Sequence, residues 1–221
     1  MFSGIAGRYD LLNHLLSANI DKRWRKKVRQ LLKDKLDDPD ALILDVACGT
    51  GDLSIELSGN ARANVLGTDF CRPMLEVAQK KAPCIPFTEG DAMSLPFPDR
   101  TFDAVTIAFG LRNLPNFNAG LAELRRVLKT DGKLAVLEFS SPVVPGFRGV
   151  FNFYFANVLP RLGGLVSGER GAYEYLPASV QKFPDQKALV KMIAETGFSE
   201  VSYTNLTGGI AAIHVATRSD A

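Results

Sequence analysis

Apolar positions near the amino end recur at the spacing of a helix. Between residues 21 and 36 the apolar positions are Trp24, Val28, Leu31, Leu32 and Leu36, and the basic positions between them are Lys22, Arg23, Arg25, Lys26, Lys27 and Arg29. This pattern predicts one amphipathic, basic helix. Its basic side is typical of a solvated face, and attraction to anionic lipid headgroups is the alternative.

From residue 41 onward, short apolar runs alternate with helical stretches. The predicted strands are ALILDVA, NVLGTDF, IPFTEGD, FDAVTIAF and KLAVLEFS, and the helices between them begin near 52, cover 74–81 and cover about 118–129. Short apolar strands separated by amphipathic helices indicate a parallel sheet with helices on both faces. The predicted class is therefore α/β, doubly wound and Rossmann-like.

The last third of the chain changes this pattern. After the helix DQKALVKMIAETGF, the strand-like runs EVSYTNL and GIAAIHVATR are separated by no more than Thr207, Gly208 and Gly209. A link this short joins only antiparallel strands. We therefore expect a mostly parallel sheet of seven strands that includes one antiparallel strand.

Composition narrows the class of protein. The 221 residues contain 46% apolar residues, enough for one globular domain over 1–221, and the net charge of +2 does not predict nucleic-acid binding. Three cysteines without paired spacing favour neither disulfides nor a metal site and suit a reducing cytoplasm. No apolar stretch approaches the roughly 20 residues that span a bilayer.

The stretch LILDVACGTGDL (42–53) ends the first predicted strand with an acid and two glycines. Dinucleotide-binding loops follow the pattern G-x-G-x-x-G, and here Gly49 and Gly51 are present whereas Ser54 occupies the third position. The incomplete motif alone is weak evidence for a dinucleotide. Asp45, just before the glycines, suits a ligand with a cationic sulfonium or ammonium group and does not suit a pyrophosphate.

Two further acids follow the next two strands. Asp69 ends NVLGTD, where a carboxylate can accept both hydroxyls of a ribose, and Asp91 ends the third strand, near an expected adenine edge. Each acid alone could instead cap a helix or a turn. Three acids at three successive strand tips, on the edge where such sheets bind ligands, predict an adenosyl ligand.

With these residues the chain resembles the class I S-adenosylmethionine-dependent methyltransferases. The stretches YDLLNHLLSANIDKRW, FGLRN, RVLKTDGKLAVLEFS and LTGGIAAIHVATR are similar to motifs of the UbiE/MenG family of quinone-biosynthesis C-methyltransferases, and the resemblance covers nearly the whole chain. It implies methylation of a ring carbon of a polyprenylated quinol. Demethylmenaquinol is the preferred acceptor, and the alternatives are a benzoquinol of ubiquinone biosynthesis or another small molecule.

The resemblance also assigns cofactor contacts. These fall on Thr50 in the glycine loop, on Asp69 and on the pair Asp91-Ala92. The pattern of acid and glycines in LILDVACGTGDL adds Asp45, Gly49 and Gly51 to the predicted cofactor site. The family often has a histidine where this sequence has Asp21, so no role of that histidine carries over. No metal is expected, because sulfonium methyl transfer chiefly needs alignment and a dry site.

The reaction implies a small set of catalytic candidates. A ring carbon becomes nucleophilic when a neighbouring phenol-type hydroxyl, with a pKa of about 10, loses its proton. Arg112 in FGLRN can hold the resulting anion, and Asn113 can orient the ring. Tyr9 and Asp10 belong to the segment expected to fold over the cofactor, with Asp10 a conceivable base. Surface pairing, turn capping and helix entry are the structural alternatives for these four residues.

Two segments of the predicted domain are expected to cover the site. Residues 1–36 are expected to form a helical cap and residues 142–180 a lid, whose aromatic stripe either packs in the core or lines a channel for the prenyl tail. The prediction is a cytoplasmic enzyme, with peripheral contact at the inner membrane and a homodimer both left open. A noncatalytic adenosyl-binding protein and a nicotinamide dehydrogenase are the rival classes.

Overall fold

A computed structural model describes residues 19–144 and 179–220 of the chain. The helices are α1 (Ile20–Leu31), α2 (Lys33–Leu36), α3 (Asp52–Ser58), α4 (Arg72–Lys81), α5 (Phe117–Val127) and α6 (Gln186–Glu195). The strands are β1 (Leu42–Val46), β2 (Asn64–Asp69), β3 (Phe87–Glu89), β4 (Phe102–Ala108), β5 (Leu128–Phe139), β6 (Phe198–Leu206) and β7 (Ala211–Arg218). Short 3-10 turns cover Leu111–Asn113 and Thr207–Gly209.

The seven strands form one sheet in the order β3-β2-β1-β4-β5-β7-β6. Strand β7 runs antiparallel to both β5 and β6, and the other neighbours pair in parallel. This arrangement confirms the predicted sheet with its one antiparallel strand. The strand order reverses between β1 and β4, and in such sheets ligands bind outside the carboxyl ends of the strands at this point.

The core lies on both faces of the sheet because alternate residues of each buried strand point to opposite sides. In β1, Leu44 packs with the apolar faces of α5 and α6, whereas Ile43 packs with Trp24 and Val28 of α1. The amino-terminal helix is therefore part of the domain core. Trp24 also donates a hydrogen bond from Nε1 to Thr207 Oγ1, at 2.9 Å, beside the β6–β7 hairpin.

Two predicted helix boundaries were wrong. The helix expected to run to about 129 ends at Val127, because the Arg218 guanidinium binds the carbonyl oxygens of Arg125, Arg126 and Leu128, and strand pairing begins at Leu128. The helix expected to run from 21 to 36 breaks at Leu32, a fully buried residue with non-helical backbone angles.

The ends of β1 and β4 approach each other so closely that a side chain at Gly110 has no room. A Cβ atom at Gly110 would lie 2.6 Å from the Cβ of Ala47, which itself has a left-handed φ of 53°. This contact brings the loops that follow the two strands together at the reversal point of the sheet. Gly110 is therefore needed for the site that these loops form.

We expect Gly110→Ala to lower the free energy of unfolding by about 1–3 kcal/mol, because the added methyl group overpacks this contact. Ala47→Gly removes the opposing methyl group and also relieves the left-handed strain, so the Ala47→Gly/Gly110→Ala double variant should regain most of the loss. Urea unfolding at equilibrium measures all three variants. Equal losses in the single Gly110→Ala and double variants would contradict the assigned contact.

Candidate functional site

The loop after β1 is built from left-handed backbone positions. Ala47, Gly49 and Gly51 have φ values of 53°, 56° and 81°, and the turn is closed by the Gly51 N–H, which donates to Cys48 O at 2.9 Å. A Cβ at Gly51 would press on the Phe87 ring at 3.0 Å, whereas a Cβ at Gly49 would meet no atom within 4 Å. The backbone at Gly49 therefore faces open space, as close approach to a ligand requires.

Asp45 lies behind this loop and not at its rim, where the sequence placed a negative charge. Its carboxylate is 1% exposed and accepts hydrogen bonds from the hydroxyls of Ser54, at 2.6 Å, and Thr106, at 2.8 Å. Burial raises the pKa of Asp45 to about 6, although both hydroxyls and the charge of Arg25 act in the opposite direction. Asp45 thus ties β1, α3 and β4 together and would act on a cation through its field.

Asp69 lies at the tip of β2 and holds the glycine loop in place. Its two carboxylate oxygens accept N–H groups from Gly49 and from Cys71, both at 2.8 Å. Burial raises the pKa of Asp69, while these backbone hydrogen bonds lower it. The next residue, Phe70, is 66% exposed, and a flat apolar ring beside this carboxylate can stack with a heterocyclic base. The sequence analysis missed Phe70.

The Thr50 hydroxyl belongs to a chain of charges that links the loop to α1. Thr50 Oγ1 lies 3.4 Å from Lys81 Nζ, which pairs with Asp52 at 2.6 Å, and Asp52 also pairs with Arg25 at 3.1 Å. Arg25 in turn binds Asp21 at 2.6 Å. Arg25 is therefore buried in an ion-pair network and is not part of the solvent-facing basic surface that the sequence predicted.

Asp91 and Ala92 follow β3, as predicted. The Asp91 side chain is exposed and accepts the Met93 N–H at 2.8 Å, and its carbonyl accepts the Ser94 N–H. Ala92 is buried in the core beneath this turn. The turn-capping alternative for Asp91 is thus observed, and contact of this turn with an adenine ring stays a prediction.

Arg112 lies beyond the tip of β4 and is paired with a buried acid. Its Nη1 donates to Glu138 Oε1 at 2.7 Å and to the carbonyl of Phe109. Glu138 is 1% exposed, and burial raises its pKa while the charge of Arg112 lowers it. The expected alternative was a surface carboxylate, and the structure instead supplies a carboxylate from the tip of β5.

Two aromatic rings lie beside Arg112, and a third ring packs on them. The rings of Phe109 and Phe139 lie 4.8 Å apart, and Trp24 lies 6.0 Å and 6.3 Å from them. The Arg112 guanidinium carbon is 5.4 Å from the Phe139 ring centroid. Asn113 donates from Nδ2 to Phe109 O at 3.2 Å, so it shapes this turn, and its orientation of a substrate ring stays a prediction.

Glu138 is the main polar residue that the sequence analysis missed. An acid at a strand tip was the signal that selected three aspartates, and Glu138 in KLAVLEFS satisfies the same criterion. Tyr9 and Asp10 lie outside the described residues, as do most of the predicted lid and its aromatic stripe. Their roles, the cap and lid assignments and the homodimer stay predictions.

Comparisons with known proteins agree along the whole chain. The ubiE/COQ5 methyltransferase family matches residues 1–218. A demethylmenaquinone methyltransferase of Thermus thermophilus is 52% identical over 99% of this chain and 100% of its own length. A ubiquinone/menaquinone biosynthesis C-methyltransferase of Citrifermentans bemidjiense is 44% identical over 99% and 94%.

A solved structure shares the fold. A SAM-dependent methyltransferase of Thermotoga maritima aligns with a TM-score of 0.67 and 16% identity, covering 98% of this chain and 97% of its own. These findings confirm the class I fold and the expected enzyme class, a methyltransferase that uses S-adenosylmethionine. The chain belongs to the ubiE/COQ5 methyltransferase family.

Proposed function

We propose that this enzyme methylates a ring carbon of a polyprenylated quinol, with demethylmenaquinol as the acceptor. The observation that carries the proposal is the Arg112 guanidinium, which is held at the tip of β4 beside the glycine loop of β1. A fixed cation there can stabilise the oxygen anion of an acceptor next to the bound donor. Relatives named demethylmenaquinone methyltransferase, up to 52% identical, support the choice of acceptor.

The residues on the carboxyl edge of the sheet fit the donor. Gly49 offers an open backbone face, Asp69 lies where a ribose would be expected, and Phe70 offers an exposed ring for the adenine. The buried charge of Asp45 favours a cation in front of the loop. Together these groups recognise an adenosyl ligand with a positively charged sulfonium.

The chemistry proposed for the site begins at the quinol hydroxyl. Bound S-adenosylmethionine supplies an electrophilic methyl group whose bond to sulfur breaks as the ring carbon attacks, so that the bonding electrons return to sulfur. Arg112 lowers the pKa of the neighbouring hydroxyl and holds its anion, which makes the ring carbon nucleophilic. The ring then loses its C–H proton and regains aromaticity, with Asp10 as the predicted base.

A benzoquinol acceptor is the second candidate. Relatives at 42–44% identity carry the name ubiquinone/menaquinone biosynthesis C-methyltransferase, and this name covers both ubiquinone and menaquinone biosynthesis. The same Arg112 cation would stabilise either quinol anion, because both present a phenol-type hydroxyl beside the reacting carbon.

Methyl transfer should require the reduced acceptor. We expect the wild-type chain to move a labelled methyl group from S-adenosylmethionine to short-tailed demethylmenaquinol under dithionite, and to leave the oxidised quinone unmethylated, because the quinone lacks an ionisable hydroxyl. Parallel reactions with the matching benzoquinol decide between the acceptors. Equal methylation with and without reductant would refute the proposed chemistry, and no methylation of either quinol would refute the proposed substrate class.

Asp45→Asn should make the folded chain more stable and weaken its binding of S-adenosylmethionine. Because burial raises the pKa of Asp45 from 3.8 to about 6, the folded chain keeps a proton that the unfolded chain releases between these pH values. The wild type therefore loses stability as pH rises through this window and does not regain it above pH 6. Asparagine fills the same space without charge, so the variant should be more stable at pH 7.5 by about 1–2 kcal/mol.

That stability difference should shrink toward zero at pH 4, where aspartate is protonated in the folded chain. At pH 7.5 the same variant should bind S-adenosylmethionine roughly tenfold more weakly, because the field of the carboxylate is gone. Thermal unfolding across pH and calorimetric titration with S-adenosylmethionine provide the two readouts. A less stable variant with unchanged affinity would contradict both arguments.

We further propose that α1 docks the enzyme on the cytoplasmic face of the inner membrane. No described helix is long and apolar enough to cross a bilayer. On the outer side of α1, Lys22, Arg23 and Lys26 are exposed, and no ion pair within the described ranges involves them. The inner side of the same helix packs on the site through Trp24, so a docked α1 would bring the site close to a membrane-embedded quinol.

Vesicle binding tests this surface. The triple variant Lys22→Glu/Arg23→Glu/Lys26→Glu should bind phosphatidylglycerol-containing vesicles about 100-fold more weakly than wild type, since each basic residue contributes about 1 kcal/mol at an anionic surface. Arg62→Glu/Lys80→Glu/Lys187→Glu makes the same charge change at exposed positions elsewhere and should retain more of the binding. Equal losses in both triple variants, measured by cosedimentation, would rule out a specific role of α1.

A further inference from the structure

Glu138 binds both the side chain and the backbone of Arg112. Its Oε1 accepts from Arg112 Nη1 at 2.7 Å and from the Phe139 N–H at 2.8 Å, and its Oε2 lies 3.3 Å from the Arg112 N–H. Both oxygens of one buried carboxylate are thus directed at this turn. A hydrogen-bonded carboxylate at this position fixes where the guanidinium lies and how it is rotated.

The guanidinium has a buried donor that neither Glu138 nor the Phe109 carbonyl uses. Nη1 is occupied by Glu138 and by the Phe109 carbonyl, and the guanidinium carbon lies 5.4 Å from the centroid of the Phe139 ring. Arg112 Nε is buried and has no hydrogen-bond partner among the described residues. A buried N–H without an acceptor is costly, so an atom of this kind indicates an acceptor that arrives with a ligand.

A second buried polar atom without a partner lies directly after β5. Ser140 follows Glu138 by two residues, is 7% exposed, and its hydroxyl also has no partner among the described residues. Arg112 Nε and the Ser140 hydroxyl are thus two buried polar atoms without partners near the carboxyl end of β5, which is consistent with a bound oxygen at this edge of the sheet.

We propose that Glu138 is a positioning residue, which orients Arg112 so that its Nε–H donates to the oxygen of the bound quinol. This inference rests on the proposed function. The pair also keeps the charge of Arg112 compensated before the substrate binds, because a single buried charge would be strongly unfavourable. When the quinol ionises, Glu138 already holds the guanidinium in one orientation.

Glu138→Gln tests the orientation of Arg112. The amide keeps the shape of the side chain and one acceptor oxygen, but it removes the charge and puts an NH₂ group at one of the two positions that bind Arg112. We expect kcat with short-tailed demethylmenaquinol to fall about 10–100-fold, as small displacements of reacting groups do, with S-adenosylmethionine affinity within twofold of wild type. Asp103→Asn is the matched control and should leave kcat unchanged.

The control also converts a paired carboxylate to its amide, but at the amino-terminal end of β4, away from the site. Asp103 accepts from Lys129 Nζ at 2.7 Å and from the Leu42 N–H at 2.9 Å, which reproduces the cation and backbone N–H contacts of Glu138. A purely structural role of Glu138 predicts that its variant loses thermal stability and S-adenosylmethionine affinity together with kcat, and that result would overturn the assignment.

Arg112→Lys tests the assigned donor independently of how well Glu138→Gln folds. Lysine keeps the positive charge and can still pair with Glu138, but it has no equivalent of the Nε–H. We expect a similar loss of kcat, and no further loss when Glu138→Gln is added to Arg112→Lys. Full kcat in Arg112→Lys, or additive losses in the double variant, would overturn the inference.

The wild-type reaction distinguishes a failure of the proposed function from a failure of the role assigned to Glu138. A wild-type chain that binds S-adenosylmethionine and methylates neither quinol would overturn the proposed function and this inference with it. A wild-type chain that methylates demethylmenaquinol, accompanied by a Glu138→Gln variant of equal kcat, would overturn the role of Glu138 alone.

Discussion

Buried negative charge at the carboxyl edge of the sheet is the constraint on which the site depends. Asp45, Asp69 and Glu138 lie at the tips of three strands, and each is less than 10% exposed. A buried carboxylate is tolerated only when donors compensate it. The donors differ in kind: two hydroxyls for Asp45, two backbone N–H groups for Asp69 and a guanidinium for Glu138.

These different donors give the three acids different consequences for function. Neutral hydroxyls do not cancel the charge of Asp45, so this carboxylate keeps a negative field. Asp69 holds the glycine loop through the Gly49 N–H group. Glu138 pairs with the Arg112 guanidinium and keeps this cation in place. In the proposed function, one sheet edge presents negative potential toward the sulfonium and a positive group toward the acceptor oxygen. The negative potential favours binding of the charged donor, and the positive group favours ionisation of the acceptor; both charges are then consumed as the methyl group is transferred.

Helix α1 connects this edge to the protein surface. Its inner side reaches the site by two routes, an aromatic contact of Trp24 with Phe109 and Phe139, and the ion pairs of Arg25 with Asp21 and Asp52. Its outer side carries exposed lysines and Arg23. A force on the outer side, such as attraction to an anionic membrane, would thus act on the helix that packs against the two aromatic rings beside Arg112.

The sequence by itself determined the sheet class, the antiparallel strand and the strand-tip acids, because alternating apolar runs, a three-residue link and acids after each run are local patterns. The tertiary structure alone decided how those acids are used. The partners of Asp45 and Glu138 come from positions 61 and 26 residues away, Thr106 and Arg112, and no local pattern specifies such pairs. Burial likewise moved Arg25 from the expected solvent face into an ion-pair network, since charge and spacing indicate a helix face but not what packs against it.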